Sequence, residues 1–202
     1  EFRRVLFRSY ITDRFSILTT ASGSKVTAQQ NAGSVTPPPG FSNYLGITSS
    51  SAYTAGASEL FRLFHTIEGY NIADLAWGTS SAKPITISFW ARSSLTGNFG
   101  ICLQNASNNR AYAASYSIPV ANTWTYCSIT IPGETTGTWN VTNGTGIAIN
   151  FDLGSGSNQL IAPGSWQAVN GNGATGCVQL VATSGATLYI TGVQLEVGTD
   201  RK

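Results

Sequence analysis

Residues 85–92 read ITISFWAR and carry the most regular pattern in the chain. Apolar residues recur at every second position, and this period of two is typical of a β-strand with one buried face. Trp90 and Arg92 fall on the opposite face, where we expect contact with solvent. The core-facing side chains are predicted to be those of Ile85, Ile87, Phe89 and Ala91.

Similar alternation continues on both sides of this strand, with turn-forming residues between the strands. In residues 124–131 it places Cys127 in the core, and in residues 187–197 Gly192 predicts a β-bulge. Residues 72–76 predict a short helical turn. We therefore expect an all-β fold, a two-sheet antiparallel β-sandwich (jelly roll) of about ten strands with one short helical turn. Further strands are predicted at residues 10–16, 27–34, 41–47, 59–68, 99–104, 111–118, 146–153 and 177–183.

The composition agrees with a turn-rich β protein of one domain. Only 10% of the 202 residues are charged, and 22 residues are glycine. No window is apolar for long enough to span a bilayer and no signal peptide is visible, so we expect no membrane insertion. The three cysteines show no metal-ligand spacing, which favours buried thiols; a Cys102–Cys127 disulfide is the alternative.

The two ends of the chain do not resemble natural protein sequence. Residues 1–9, EFRRVLFRS, and residues 200–202, DRK, back-translate to a common short-read sequencing adapter and its counterpart read outward. We therefore expect the natural domain to occupy residues 10–199 and to be an internal part of a longer protein. The ends hold five basic and two acidic residues, so the formal charge of +2 becomes −1 without them. The positive net charge is then no argument for a nucleic-acid partner, and we expect none.

A candidate ligand surface follows from the outward positions of the predicted strands. Aromatic rings stack on the C–H faces of a sugar, while amides and carboxylates pair with its hydroxyls. If several of these strands share a sheet, their outward side chains form such a surface; the alternative is packing under loops or against another chain. Trp77, in the loop sequence AWGTSS, is either a ligand platform or a cap on the core. The candidate carbohydrate-binding residues are Trp90, Arg92, Tyr126, Gln104, Asn150, Asp152, Arg62 and Trp77.

No catalytic motif is visible in the sequence. The GxSxG, HExxH and P-loop patterns are missing, and the few carboxylates are too scattered for a glycosidase pair. His65, the single histidine, is expected to be packed or hydrogen-bonded rather than catalytic. We therefore expect no enzyme and no cofactor. A structural calcium ion held by carboxylates and backbone carbonyls is the alternative, for which the sequence presents no clear set of ligands.

Several segments together resemble a known family. The most specific runs are GYNIADLAWGT (residues 69–79), SFWARSS (residues 88–94) and ATLYITGVQLEVG (residues 186–198). They resemble carbohydrate-binding-module-like jelly-roll domains of phage and prophage tail proteins and other virion structural proteins. The resemblance covers nearly all of residues 10–199. It implies a non-enzymatic module on a tail fibre or similar virion structure, with other virion subunits as partners, a homotrimer among their arrangements, and host-surface glycan as ligand.

Three functions stay open at this point. The first is a virion module that binds host-surface carbohydrate through its outer aromatic residues. The second is a structural decoration or oligomer-assembly module, in which the same aromatic face is an interface between chains. The third is the accessory sugar-binding domain of a glycanase whose catalytic part lies elsewhere in the protein. Glycan binding, oligomeric state and the flanking sequence distinguish the three.

Overall fold

The computed structural model describes residues 10–12, 15–23 and 25–199, so the two adapter-like ends lie outside the described residues. Ten of the strands are five residues or longer, in agreement with the expected number. The strands are β1 Tyr10–Thr12, β2 Phe15–Thr19, β3 Val26–Gln30, β4 Leu45–Ser49, β5 Phe61–Glu68, β6 Ile85–Ser93, β7 Gly97–Asn105, β8 Ala111–Ile118, β9 Thr125–Ile131, β10 Thr145–Asp152, β11 Leu160–Ile161, β12 Trp166–Gln167, β13 Gly173–Ala174 and β14 Thr187–Val197.

These strands form two large antiparallel sheets. The seven-stranded sheet has the order β1-β2-β5-β10-β7-β8-β12, and the five-stranded sheet has the order β3-β4-β14-β6-β9. Chain neighbours such as β6 and β7 lie in different sheets, so the chain crosses repeatedly between the two layers, as in a jelly roll. The predicted all-β, two-sheet antiparallel β-sandwich (jelly roll) is confirmed. A short parallel pair, β11 and β13, lies outside the two large sheets.

The core lies between the two sheets and is built by alternate residues of their long strands. The four predicted core residues of β6 have no exposed surface, which confirms the assignment of the two faces of this strand. Phe89 of β6 meets Phe151 of β10 and Tyr116 of β8 nearly at right angles, with ring centroids 5.1 and 4.9 Å apart. These three rings come from both sheets, so their packing ties the two layers together.

The strand predicted at residues 177–183 is wrong. A 3-10 turn, Leu180–Ala182, occupies its centre. Leu180 and Val181 are buried, so the apolar pattern there reflects contact with the core rather than pairing in a sheet. Single backbone hydrogen bonds hold the turn, among them the one from the N–H of Val181 to the carbonyl of Leu153 at 2.9 Å.

Smaller predictions have mixed outcomes. Cys127 is buried as expected, and all three cysteines are free thiols, so the alternative of a bond to Cys102 is wrong. His65 is buried and packed, as expected. The helical turn predicted at residues 72–76 is found as two successive 3-10 turns within residues 69–75. None of the helical turns in the described part of the chain is long enough to cross a membrane.

Residues 154–176 lie across the outer side of the seven-stranded sheet, and we call them the covering segment. They include β11 and β13, which lie over the sheet, and β12, which pairs with β8 as an edge strand of the sheet itself. Ile161 and Ala174 of this segment pack on small residues of β7 and β8. The approach is close, because a Cβ added at Gly100 would lie 3.1 Å from the backbone nitrogen of Ala174. The small outward residues that leave room for the segment are Gly100, Cys102, Ala111 and Ala113.

Candidate functional site

The structure divides the predicted ligand residues between two outer faces and the interior. Trp90, Arg92 and Tyr126 lie on the outer side of the five-stranded sheet. Trp77 lies in the core. The other predicted residues lie on the outer side of the seven-stranded sheet, which faces the opposite way, so the eight residues do not form one site. Those four residues are Arg62, Gln104, Asn150 and Asp152.

On the seven-stranded sheet, amide oxygens hold the guanidinium of Arg62. Its Nη1 lies 2.9 Å from Gln104 Oε1, 3.0 Å from Asn150 Oδ1 and 2.6 Å from Asn172 Oδ1. Its guanidinium carbon lies 5.1 Å from the ring centre of Phe64. No carboxylate of the described residues is within ion-pair distance of it. Burial lowers the pKa of Arg62, because desolvation disfavours the charged form.

The amides around Arg62 also bind one another and the covering segment. Asn150 Nδ2 donates to Gln104 Oε1 at 2.8 Å, and Gln104 Nε2 donates to Asn170 Oδ1 at 2.8 Å. Asn172 Nδ2 donates to Gln159 Oε1 at 2.7 Å. Gln104 and Asn150 have no exposed surface, so the expectation that they face solvent is wrong. Their hydrogen bonds fix the covering segment to the sheet, and we call Arg62, Gln104, Asn150 and Asn172 the amide clamp.

Asp152 is buried beside the amide clamp, so the expectation that it faces solvent is also wrong. Its Oδ1 accepts hydrogen bonds from the N–H of Gly154 at 3.1 Å and from the N–H and hydroxyl of Ser155 at 2.9 and 2.7 Å. Its Oδ2 is enclosed and has no hydrogen-bond partner among the described residues. Burial raises the pKa of Asp152, and this effect outweighs the hydrogen bonds, which lower it. Asp152 therefore orders the first turn of the covering segment.

Trp77 belongs to a cluster of three indole rings. Its ring centroid lies 4.7 Å from that of Trp139 and 5.2 Å from that of Trp166, both in edge-to-face contact. Its indole N–H donates to the carbonyl of Lys83 at 2.7 Å. Trp77 is 4% exposed, so it offers no platform to a ligand and that expectation is wrong. The alternative, a cap on one end of the core, is confirmed.

The outer side of the five-stranded sheet carries half-buried aromatic rings. Trp90 of β6 pairs in register with Tyr126 of β9, and their ring centroids lie 5.4 Å apart in edge-to-face contact. Both residues are half-buried, and the hydroxyl oxygen of Tyr126 is enclosed. We call this surface the aromatic face, and its residues are Trp90, Arg92, Trp124, Tyr126 and Tyr189.

Arg92 lies two residues along β6 from Trp90 and on the same side of the sheet. It pairs in register with Tyr189 of β14, and its guanidinium carbon lies 5.5 Å from the centre of that ring. Its Nε donates to the carbonyl of Asn122 at 2.9 Å. Extending the β6–β9 register by one residue places Trp124 on its other side. The expected placement of Arg92 beside Trp90 on one outer face is thus confirmed, while a role in binding stays a prediction.

Residues 31–44 hold one end of the aromatic face in position. The hydroxyl of Tyr44 donates to the carbonyl of Ala32 at 2.5 Å. The indole N–H of Trp124 donates to the carbonyl of Thr36 at 2.9 Å, and the ring centroids of Trp124 and Tyr44 lie 5.4 Å apart. Because these contacts order the rings within the single chain, a ligand would bind without a large loss of side-chain freedom.

The sequence prediction missed Gln194, which also lies on the aromatic face. The register of β14 shifts between Thr191 and Gln194, and Gly192 within this shift has φ +63°, so the predicted bulge is confirmed. A bulge adds one residue and reverses the phase of the side chains that follow it. Gln194 therefore pairs with Ser88 and is exposed on the same side as Trp90. If the one-residue shift at Gly192 is applied to the alternation of the residues that follow it, the sequence predicts that Gln194 lies on this face.

A shallow cleft of about 160 Å³ lies at one end of the sandwich, lined by Tyr53, Ser155 and Gln179 among others. The hydroxyl of Tyr53 donates to Glu59 Oε2 at 2.7 Å, and the Nζ of Lys25 lies 4.6 Å from the centre of its ring. The cleft is smaller than ligand pockets of roughly 300–1,000 Å³. It contains none of the predicted residues, and its small volume does not fit an oligosaccharide.

Outside these faces, the charged side chains of the described residues form one ion pair and no group that could hold a metal ion. In the described ranges, no group of three or more His, Cys, Asp and Glu residues could hold a metal ion. One ion pair is found there, between Arg110 and Glu134, whose Nη2 and Oε2 lie 2.5 Å apart. Glu134 is buried and also accepts the N–H of Thr136 at 2.8 Å, so the pair stabilises the turn that follows β9.

No protein-family model and no curated protein matches this chain. Solved structures that are similar to it include a phage tailspike domain and carbohydrate-binding modules. The first is the enzymatically active domain of bacteriophage CBA120 tailspike protein 4, with 13% identity and a TM-score of 0.49. That similarity covers 93% of this chain, which corresponds to 20% of the tailspike chain.

Two of the similar carbohydrate-binding modules match over most of both chains. The family 11 module from Clostridium thermocellum, in complex with a β-1,3-1,4-mixed-linked tetrasaccharide, has 14% identity and a TM-score of 0.44, covering 92% of this chain and 89% of the module. The CBM22-1 xylan-binding domain from Paenibacillus barcinonensis Xyn10C has 8% identity and a TM-score of 0.42, covering 94% and 89%. Because identities and TM-scores are this low, the similarities do not indicate a ligand, and the ligand has to be inferred from the side chains of this chain.

Proposed function

We propose that this domain is a non-catalytic module that binds carbohydrate through its aromatic face, as part of a virion tail structure that contacts host-surface glycan. The observation that supports binding is the ordered pair of Trp90 and Tyr126, whose rings stay partly exposed on a rigid sheet. The virion assignment is supported by the resemblance of residues 69–79, 88–94 and 186–198 to domains of tail proteins.

The arrangement around Trp90 suits an extended saccharide. An exposed amide, that of Gln194, lies on one side of the indole along the strand direction, and the guanidinium of Arg92 lies on the other. Arg92 follows Ser88, the partner of Gln194, by four positions on β6, which corresponds to about 13 Å along the strand. A sugar ring stacked on Trp90 would therefore have hydrogen-bonding groups at both of its ends.

The seven-stranded sheet is a poorer candidate, although four predicted residues lie there. The oxygens of Gln104, Asn150 and Asn172 already accept hydrogen bonds within the amide clamp. A ligand would have to displace the covering segment to reach them. The proposal therefore retains three of the predicted residues, Trp90, Arg92 and Tyr126, and adds Gln194.

The test is glycan binding by the Trp90→Ala variant. We expect the wild-type domain to bind at least one member of a broad glycan array. Removal of the indole should weaken that binding by about tenfold, because ring stacking and apolar contact are lost. Tyr70→Ala is the matched control, since Tyr70 is a 65% exposed ring in a turn outside the aromatic face. Circular dichroism should show that both variants keep the fold.

Sedimentation decides between this proposal and an assembly role. A folded wild-type domain that binds no glycan, and whose stable oligomer dissociates on Trp90→Ala, would show that the aromatic face is an interface between chains and would refute the proposal. A monomer, or an oligomer that Trp90→Ala leaves intact, together with weakened glycan binding, supports it.

A further inference from the structure

We infer that the aromatic face selects saccharides that carry a carboxylate, and that Arg92 binds this carboxylate while the sugar ring rests on Trp90. The inference rests on the proposed function, because it names the class of ligand for the same surface. It goes further in assigning to Arg92 a preference for acidic over neutral sugars, beyond the hydrogen bonding proposed above.

The first argument is the unused hydrogen-bonding capacity of Arg92. A guanidinium has five N–H donors in a planar arrangement. In the described part of the chain only one of them is used, in the hydrogen bond from Nε to the carbonyl of Asn122, which is itself exposed. The guanidinium carbon lies 5.5 Å from the centre of the Tyr189 ring, which fixes its position on the sheet. Both Nη groups are therefore available to a ligand.

The second argument is the charge of the surroundings. Residues 31–44 and 119–124, which border the aromatic face, contain no acidic residue. On β14 the acidic residue of this side is Glu196, which pairs with Thr86. Thr86 lies six residues along β6 from Arg92, or about 20 Å. This separation exceeds the Debye length of about 8 Å at physiological ionic strength, so Arg92 keeps its positive field.

The other two arginines of the described residues, Arg62 and Arg110, show the contrast. Arg110 is paired with Glu134. Arg62 also lacks a carboxylate, but three amide oxygens converge on its Nη1 and the covering segment encloses them. Arg92 combines a partly exposed guanidinium, the absence of a carboxylate partner among the described residues and a partly exposed ring beside it.

The geometry favours a carboxylate over a neutral hydroxyl group. The planar guanidinium matches the two oxygens of a carboxylate in a pair of parallel, charge-assisted hydrogen bonds. Arg92 follows Trp90 by two positions on β6, which places the two residues about 7 Å apart along the strand. A carboxylate attached to the rim of a sugar ring, as in uronic and sialic acids, can then reach Arg92 while the ring face stays on the indole.

Calorimetric titration with matched acidic and neutral ligands tests the inference. The probes are α-1,4-tetragalacturonic acid, a hyaluronan tetrasaccharide and 3′-sialyllactose, each compared with its methyl ester, which keeps the sugar and removes the charge. We expect the wild-type domain to bind at least one acid about tenfold more tightly than its ester, as charge-assisted hydrogen bonds allow. Added salt should weaken binding of the acid and leave that of the ester unchanged.

Variants of Arg92 test whether this residue causes the preference for the acid over the ester. Arg92→Gln should remove the difference between acid and ester, because a neutral amide cannot form the paired, charge-assisted hydrogen bonds with a carboxylate. The readout is the ratio of the two affinities, since loss of the guanidinium also removes a hydrogen-bonding group from the ester. Arg92→Lys, which keeps the charge and loses the fork, should retain part of the preference. Lys83→Gln is the control, since it removes one exposed positive charge before β6, away from the aromatic face. It should behave as the wild type does.

Equal affinity for acid and ester across all three pairs would overturn the inference, and so would a preference for acid that survives Arg92→Gln. Neither result decides the proposed function, which is tested by the Trp90→Ala variant. If Trp90→Ala weakens the binding of neutral glycans, carbohydrate binding by the aromatic face stands although the carboxylate preference is lost. If no glycan of either kind binds to the folded domain, both proposals are refuted.

Discussion

Substitution of Arg62 by methionine tests whether the amide clamp holds the covering segment. Methionine keeps an unbranched apolar stem and removes the guanidinium. In the described residues, Asn150 Oδ1 and Asn172 Oδ1 each accept one side-chain hydrogen bond, in both cases from Arg62 Nη1. Gln104 Oε1 keeps its hydrogen bond from Asn150 Nδ2 after the substitution. Two buried amide oxygens are therefore left without a donor.

The expected cost follows from those two oxygens. A buried acceptor without a partner costs about 1–3 kcal/mol, so the two together cost about 4 kcal/mol. Part of this is returned, because the largely desolvated guanidinium, which lacks a carboxylate, is itself unfavourable. We expect a net loss of about 2–3 kcal/mol in the free energy of unfolding. Lys83→Met, at an exposed position, should change it by no more than about 0.5 kcal/mol.

Urea unfolding at neutral pH measures the loss, and amide hydrogen exchange locates it. The N–H groups of Asn172 and Thr175 donate to the carbonyls of Gln159 and Ile161 at 2.7 and 2.9 Å, within the covering segment. They should exchange faster in the variant by more than the change in global stability explains, since the segment opens locally. Unchanged or greater stability, with unchanged protection of these two amides, would refute the reasoning and show that the guanidinium does not hold the segment.

Two further predictions concern titratable groups. Burial raises the pKa of Asp152, so its contribution to stability is full below the unfolded-state pKa of about 3.8 and is lost as the pH rises through the folded-state value. Between about pH 3 and pH 7 the free energy of unfolding of the wild type should therefore fall relative to that of Asp152→Asn. Urea unfolding measures this difference, wild type minus variant, and a difference that stays constant or increases with pH would contradict the prediction. Burial also raises the pKa of Cys177 to about 11 and that of Cys127 to about 12. At about pH 8 the folded protein should thus react with an aromatic disulfide reagent far more slowly than free cysteine does, and rapid stoichiometric labelling without denaturant would contradict this.

The inner faces of the sandwich could be predicted from the sequence because a strand has a fixed side-chain period. In residues 85–92 the alternation assigned Phe89 to the core and Trp90 to the outside, and both assignments hold. The same period says nothing about which sheet a strand joins, since pairing is decided by contacts between distant parts of the chain. Arg62 and Trp90 were therefore grouped in one surface although they lie on opposite outer faces.

The sequence prediction did not identify the covering segment, although the residues of the sheet beneath it indicate that a second layer is present. Residues 154–176 are polar and rich in glycine, which indicates a loop and gives no sign of where the loop packs. The sign lies on the sheet beneath, where the outward positions of β7 and β8 hold small residues such as Gly100 and Ala113. Small outward residues on neighbouring strands indicate a second layer. Asn172 and Asn170, which reach Arg62 and Gln104 of the sheet from this layer, could not be assigned without it.

The indole cluster of Trp77, Trp139 and Trp166 divides the five tryptophans of the chain into two optical groups. The clustered rings lie within 4.7–5.4 Å of one another, close enough for their electronic transitions to couple. Their near-ultraviolet circular dichroism therefore reports on the packing of Trp166, in the covering segment, against Trp77 and Trp139 of the core. Trp90 and Trp124 stay in partial contact with water, and their fluorescence emission responds to whatever covers them. An unlabelled sample therefore carries one spectroscopic signal for the attachment of the covering segment to the core and another for an occupied aromatic face.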